Sequence, residues 1–167
     1  MNRMMRSKIV RLAIVAALVA GCSSCSGGGG GRSGGACSSL IGLGSAVVET
    51  MGDGSAPTPL GGAKKIPPGV YLLTGWTVYP PATADPSRSR NLTMVVRGNT
   101  IEMGGTDSNT AAPVGATFSY SVSGTTIDST WTCGGTGTFQ KSFSISGDQV
   151  MIFNPRSGGV EVEIWTI

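Results

Sequence analysis

From Gly69 onward, apolar and polar residues alternate with period two, the pattern of half-buried β-strands. Phe118, Tyr120 and Val122 alternate with Thr117, Ser119 and Ser121. Ile127, Ser129, Trp131 and Cys133 alternate with Thr126, Asp128, Thr130 and Thr132. Phe139, Phe143 and Ile145 share a period with Lys141, against Thr138, Gln140, Ser142 and Ser144. Val160, Val162 and Ile164 alternate with Glu161 and Glu163, which reads as an apolar interior and two carboxylates on a solvated exterior. No segment in this part follows the 3.6-residue period of a helix. The pattern predicts eight strands, at about 69–79, 91–97, 100–104, 115–122, 125–133, 138–146, 149–154 and 159–166.

The connections decide how these strands are arranged. Gly98-Asn99, Ser123-Gly124 and Ser146-Gly147-Asp148 are tight hairpin turns. They alternate with wider loops at 80–90, 105–114, 134–137 and 155–158. Strict alternation is what a meander produces, with wide loops at one end and tight turns at the other. Because eight is even, the first and last strands run antiparallel and can pair, and closure removes exposed edges. The expected fold is all-β: a small eight-stranded antiparallel up-and-down barrel. Such a barrel is filled by side chains or holds one small ligand. A membrane-spanning barrel would need an apolar outer face, whereas the second face here is Thr, Ser, Glu and Asp. The first strand is an exception, with Val70, Leu72, Trp76 and Val78 on one face and Tyr71, Leu73 and Tyr79 on the other. The segment Leu40–Met51 is a candidate cover for it.

The chain before the barrel divides in two. Arg3, Arg6, Lys8 and Arg11 precede an uncharged apolar run from Leu12 to Ala20, too short to span a bilayer as a helix. A basic start, a short apolar middle and a small-residue end mark a secretory signal. From Ser26 to Gly35 the residues are almost all Gly and Ser, a flexible spacer. The expected organisation is a signal over 1–21, a mostly disordered Gly/Ser/Pro-rich tether over 22–67, and the barrel over 68–167.

The run Val19-Ala20-Gly21-Cys22 resembles the lipobox of bacterial lipoproteins. That resemblance implies cleavage before Cys22, diacylation of its sulfur and retention at the cell envelope, with the outer membrane preferred because Ser23 follows. Two or more acyl chains hold a protein firmly at a membrane where one does not. The alternative is a plain secretory signal with an incidental cysteine. Gly69-Val70-Tyr71-Leu72-Leu73-Thr74 and the meander after it resemble the lipocalin-like domains of such lipoproteins, and Gly75-Trp76 loosely meets the lipocalin Gly-x-Trp signature. The stretch Ala56-Pro57-Thr58-Pro59-Leu60-Gly61-Gly62 resembles leaders of myxobacterial-type lipoproteins.

Charge follows from this division. The whole chain carries +3, but the signal holds four of the 12 Lys/Arg and none of the nine Asp/Glu. Beyond Cys22 acids slightly outnumber bases and no basic stripe interleaves with aromatics, so nucleic acid is not an expected partner. Acylation of Cys22 would leave Cys25, Cys37 and Cys133, an odd count in an oxidising compartment. Cys37–Cys133 is the favoured disulfide and Cys25–Cys37 the alternative.

No catalytic constellation stands out. The chain has no histidine, the commonest general base and a usual zinc ligand. Gly31-Arg32-Ser33-Gly34-Gly35 fits the nucleophile-elbow pattern, but that motif needs a strand before it and a helix after it. Asp85 and Asp107, near Ser87, Arg88, Ser89 and Arg90, would sit in wide loops, which reads as a hydrated surface. The expectation is a non-enzymatic protein without a cofactor or metal. Its partners would be a membrane, through Cys22, and a small hydrophobic ligand. The alternative is a protein-interaction or envelope-assembly module with a filled barrel. Candidate cavity-lining residues are Trp76, Phe118, Tyr120, Trp131, Phe139, Lys141 and Phe143, while Arg88, Arg90 and Arg156 are expected to point outward from the wide loops. For the aromatics, filling the core is the bland and favoured reading. For Lys141, an inward charge needs a partner: a bulge or a rim position, the favoured readings, would relieve it, and the other reading makes it a polar point in a cavity that meets an anionic small molecule.

Overall fold

The computed structural model describes residues 37–61 and 63–167. The expected signal, Cys22, Cys25 and the expected spacer lie outside the described residues. Ten strands form: β1 (Val47–Val48), β2 (Thr50–Met51), β3 (Gly69–Tyr79), β4 (Ser89–Arg97), β5 (Thr100–Asp107), β6 (Val114–Ser123), β7 (Thr126–Cys133), β8 (Thr138–Ser146), β9 (Gln149–Arg156) and β10 (Gly159–Thr166). Strands β3 to β10 pair with their sequence neighbours, all antiparallel, and β10 pairs with β3, closing an eight-stranded barrel. Gly98 (φ 60°) and Gly124 (φ 62°) take the left-handed conformation that tight hairpins demand. β4, β5 and β6 are longer than the alternation predicted, reaching into the expected wide loops.

The lower half of the barrel, at the tight-turn end, is filled. Tyr71, Leu73, Met94, Val96, Ile101, Tyr120, Ile127, Phe143, Val150 and Trp165 are buried there, with Ile66 among them. Fully burying one such side chain is worth roughly 1.5–3 kcal/mol. The Tyr71 hydroxyl donates to Pro67 O at 2.8 Å, and the Tyr120 hydroxyl donates to Ile66 O and Gly98 O, each at 3.2 Å. These bonds satisfy the polar tips of two buried rings.

Two irregularities reassign faces. In the β3–β10 pair, Trp165 opposes Leu73 while Ile164 opposes Gly75, a register shift that skips Thr74. Tyr71 and Leu73 below the shift, and Trp76 and Val78 above it, therefore all turn inward. That resolves the two-faced appearance of the first strand. In the β6–β7 pair, Phe118 opposes Trp131 but Thr117 opposes Cys133. The extra residue turns Cys133 to the outer face with Thr117, away from the side that simple alternation assigns it.

Residues before the barrel are part of it. Cys37 forms a disulfide with Cys133. Ser38 donates to Glu102, Thr93 Oγ1 bridges Ile41 O (2.7 Å) and Leu43 N (3.0 Å), and Asn91 donates to Gly44 O. This strap crosses the outside of β6, β5 and β4. Gly104 makes room for it, since a Cβ there would sit 2.5 Å from Leu40 O. β3 and β4 pair only over Gly69–Leu72 and Thr93–Val96. Above that point they part, and the strap enters the gap: β1 pairs antiparallel with β4 and β2 parallel with β3. Leu60 N then donates to Ser144 Oγ, on the outside of β8. The stretch expected to be a tether as far as residue 67 therefore lies against the barrel from Cys37 onward. Backbone groups hold it through hydrogen bonds that leave no periodic pattern in the sequence.

Candidate functional site

The upper half of the barrel, at the wide-loop end, is lined differently. The pairing partners of Trp76 and Val78 are Glu163 and Glu161, so both carboxylates face inward and are 5% exposed. The expected solvated exterior is corrected: the apolar neighbour Val162, 2% exposed, lies on the outer face. Both faces of β10 are thus buried, and apolar content alone could not tell them apart.

Arg90 also turns inward rather than out to solvent. Its Nε donates to Asp107 Oδ2 at 2.8 Å, and Nη1 donates to Glu161 Oε1 at 3.0 Å and Glu163 Oε1 at 2.9 Å. Its guanidinium stacks over Trp76, 4.0 Å from the ring centre. Arg156 donates to Glu49 Oε1 at 2.8 Å and pairs with Glu161. Arg88 lies 3.2 Å from Glu49 Oε2. Glu49 comes from the residue between β1 and β2, where the strap passes through the wall, and its side chain is fully buried. Three arginines and four carboxylates thus form one network across the inside of the barrel mouth.

The two buried glutamates are held in opposite directions. Burial pushes the Glu163 carboxyl up and the charge of Glu161 adds to this, against Lys141 and Arg90. For Glu161, burial acts in the same upward sense but is outweighed by Arg90 and Arg156, which hold it below the usual carboxylate range. Burial likewise opposes, but does not overcome, the Asn109 amide and Arg90 at Asp107, which stays low.

Beside this network lies a cavity of about 530 Å³, within the range of small-molecule sites. Its apolar wall includes Leu92, Met103, Phe118, Trp131 and Phe139, and its polar wall includes Arg90, Lys141, Asn154, Glu161 and Glu163. Phe118, Trp131 and Phe139 pack edge-on and tilted, with centroids 5.1 to 5.8 Å apart. Trp131 and Phe139 remain half-exposed. Four of the sequence-predicted lining residues therefore meet here: Phe118, Trp131, Phe139 and Lys141. Trp76 is covered by Arg90 and Arg88, Tyr120 lies at the closed end, and Phe143 is buried in the core.

Lys141 faces inward, opposite Ile127. No bulge turns it out; it stays half-buried in the wide-loop half of the barrel. Its Nζ lies 5.3 Å from the centre of the Phe139 ring, and it makes no salt bridge among the described residues. The β8–β9 pairing stops at Ser142–Phe153. Above it the two strands part, and Gln140 and Pro155, on the outer face, join the cavity lining. Of the two partings in the wall, the one between β3 and β4 is filled by the strap. The one between β8 and β9 opens into the cavity.

Sequence reasoning missed Glu49, Asp107, Asn154, Glu161 and Glu163 as interior groups, and Arg88, Arg90 and Arg156, expected to point outward, turn in to pair with the carboxylates. The one available signal was Lys141, an ionisable residue on an otherwise apolar period. The described residues contain no cluster of three His, Cys, Asp or Glu side chains arranged to hold a metal. No described helix is long and apolar enough to cross a membrane. Comparison with protein-family models, curated proteins and solved structures finds no match to the chain.

Proposed function

We propose that this chain is a non-enzymatic cell-envelope lipoprotein, anchored through Cys22, whose barrel mouth binds a small hydrophobic ligand. The observation that carries the binding reading is the aromatic wall of the 530 Å³ cavity, half-exposed in a barrel whose other end is packed. A filled interaction module, the alternative, would place side chains where this cavity lies. The anchor rests on the lipobox resemblance, and an outer-membrane location rests on Ser23. Closed acid–arginine pairs at the mouth leave Glu161 and Asp107 ionised and engaged, which suits structural work better than proton transfer.

Fluorescence of N-phenyl-1-naphthylamine, a neutral hydrophobic probe, tests the cavity. The probe is expected to brighten on mixing with the protein, to be displaced by decanol, and to bind at least tenfold more weakly to Phe139→Ala. Absence of enhancement would refute the binding reading. Incorporation of labelled palmitate, lost in Cys22→Ser, tests the anchor independently. Unlabelled wild-type protein would refute it.

A further inference from the structure

Resting on that binding reading, we propose that the parting between β8 and β9 selects the ligand: an amphipathic carboxylic acid bearing a hydroxyl or N–H donor beside its carboxylate. Two adjacent interior residues carry the inference. Lys141 on β8 and Asn154 on β9 occupy the first inward positions above the last β8–β9 pair, and both line the cavity. Lys141 offers an ammonium that makes no salt bridge among the described residues and acts on Glu163 only through its field. Asn154 donates through Nδ2 to Glu161 at 3.2 Å, which fixes its amide orientation and leaves Oδ1 a buried acceptor without a protein donor. A buried polar atom left unmade costs about 1–3 kcal/mol, so a ligand donor at that point gains by satisfying it.

The pairing of the charges says where an arriving anion would be met. Arg90 occupies Asp107, Glu161 and Glu163; Arg156 occupies Glu161 and Glu49; Arg88 faces Glu49. The three guanidiniums are each in salt bridges, whereas the Lys141 ammonium, among the described residues of this corner, keeps its N–H donors for an arriving carboxylate. Burial raises the Glu163 carboxyl above its ordinary range, against the pull of Lys141 and Arg90. Beside these polar groups stand Phe139 and Trp131, against which an alkyl or aryl body packs. A simple hydrocarbon would leave the Asn154 oxygen and Lys141 unserved. An isolated phosphate or sugar would leave the aromatic wall wet.

The test is calorimetric titration of the purified protein with 3-hydroxydecanoate, decanoate and decanol. The expected affinity order is hydroxy acid, then acid, then alcohol, spanning at least tenfold. Lys141→Met should bring the acid down to the alcohol, and Asn154→Leu should bring the hydroxy acid down to the acid. Decanol binding to the same variant is the reference, so each loss is read as a ratio of affinities within one protein. Should Lys141→Met fail to fold, Lys141→Gln carries the same expectation. Equal binding of all three compounds, or an order unchanged in the variants, overturns the selection while the hydrophobic cavity stands. Binding of none overturns both.

Discussion

The Arg90 guanidinium lies face-on to Trp76 at 4.0 Å while bonding three carboxylates at its edge. The ring fills the space behind the charge, and the acids satisfy its N–H groups. Removing one partner of a buried pair is far costlier than the pair's net worth, because the survivors stay buried and uncompensated. Arg90→Met is therefore expected to destabilise the barrel by about 3–5 kcal/mol. Arg90→Lys should recover only part of that, since an ammonium has neither the planar fork nor the stacking face. Urea unfolding of both variants checks this; equal stability of Arg90→Lys and wild type would show that the fork geometry is irrelevant.

Glu163 makes stability fall as pH rises. Its folded value is raised, so above the ordinary glutamate range the unfolded chain releases a proton that the folded chain keeps. That contribution is complete at low pH and disappears as pH climbs through the folded value. Glu161 and Asp107 act oppositely: held low, they stabilise above the ordinary carboxylate range and lose that contribution as pH drops. Glu163→Gln removes only the first effect. Its melting temperature relative to wild type should improve from pH 4 to pH 7. An identical pH profile for the two proteins would contradict the assignment.

The Cys37–Cys133 link spans 96 residues. A cross-link of that reach is worth roughly 2–4 kcal/mol through the unfolded state. The double variant Cys37→Ser/Cys133→Ser should lose about that much, as read by denaturant midpoint. It should also lose hydrogen-exchange protection at Leu43 N, which bonds Thr93. Unaltered protection there would mean that the strap stays down without its clip.

Gly104 tests the strap from the other side. Gly104→Ala places a methyl against the Leu40 carbonyl, and backbone cannot give way as a flexible side chain would. Hydrogen exchange at Leu43 N should quicken, with the β6–β7 pairing unchanged. Full retention of protection would remove the close approach from the account.

The barrel was legible in the chain because one face of most strands is Ser and Thr. Phe118, Tyr120 and Val122 could only point inward, and the turns at Gly98, Gly124 and Gly147 set the direction of each hairpin. The site was legible only where a charge broke an apolar period, at Lys141. Glu161 and Glu163 misled because their counterion, Arg90, lies more than seventy positions earlier in sequence, and pairing over that distance has no local trace. That Tyr71 and Trp76 both turn inward was hidden because the skip at Thr74 reverses the parity of β3, and a bulge has no sequence mark beyond a glycine. Asn154 carries no signal at all; its role comes from where β8 and β9 separate.

The clip at Cys37 also fixes how this protein bears load. A pull on the chain ahead of residue 37 arrives at a covalent sulfur bridge and passes into β7, on the far side of the barrel from the strap's insertion. The hydrogen bonds that seat β1 and β2 in the wall are bypassed, so the force is borne by the sulfur bridge and the seam stays closed.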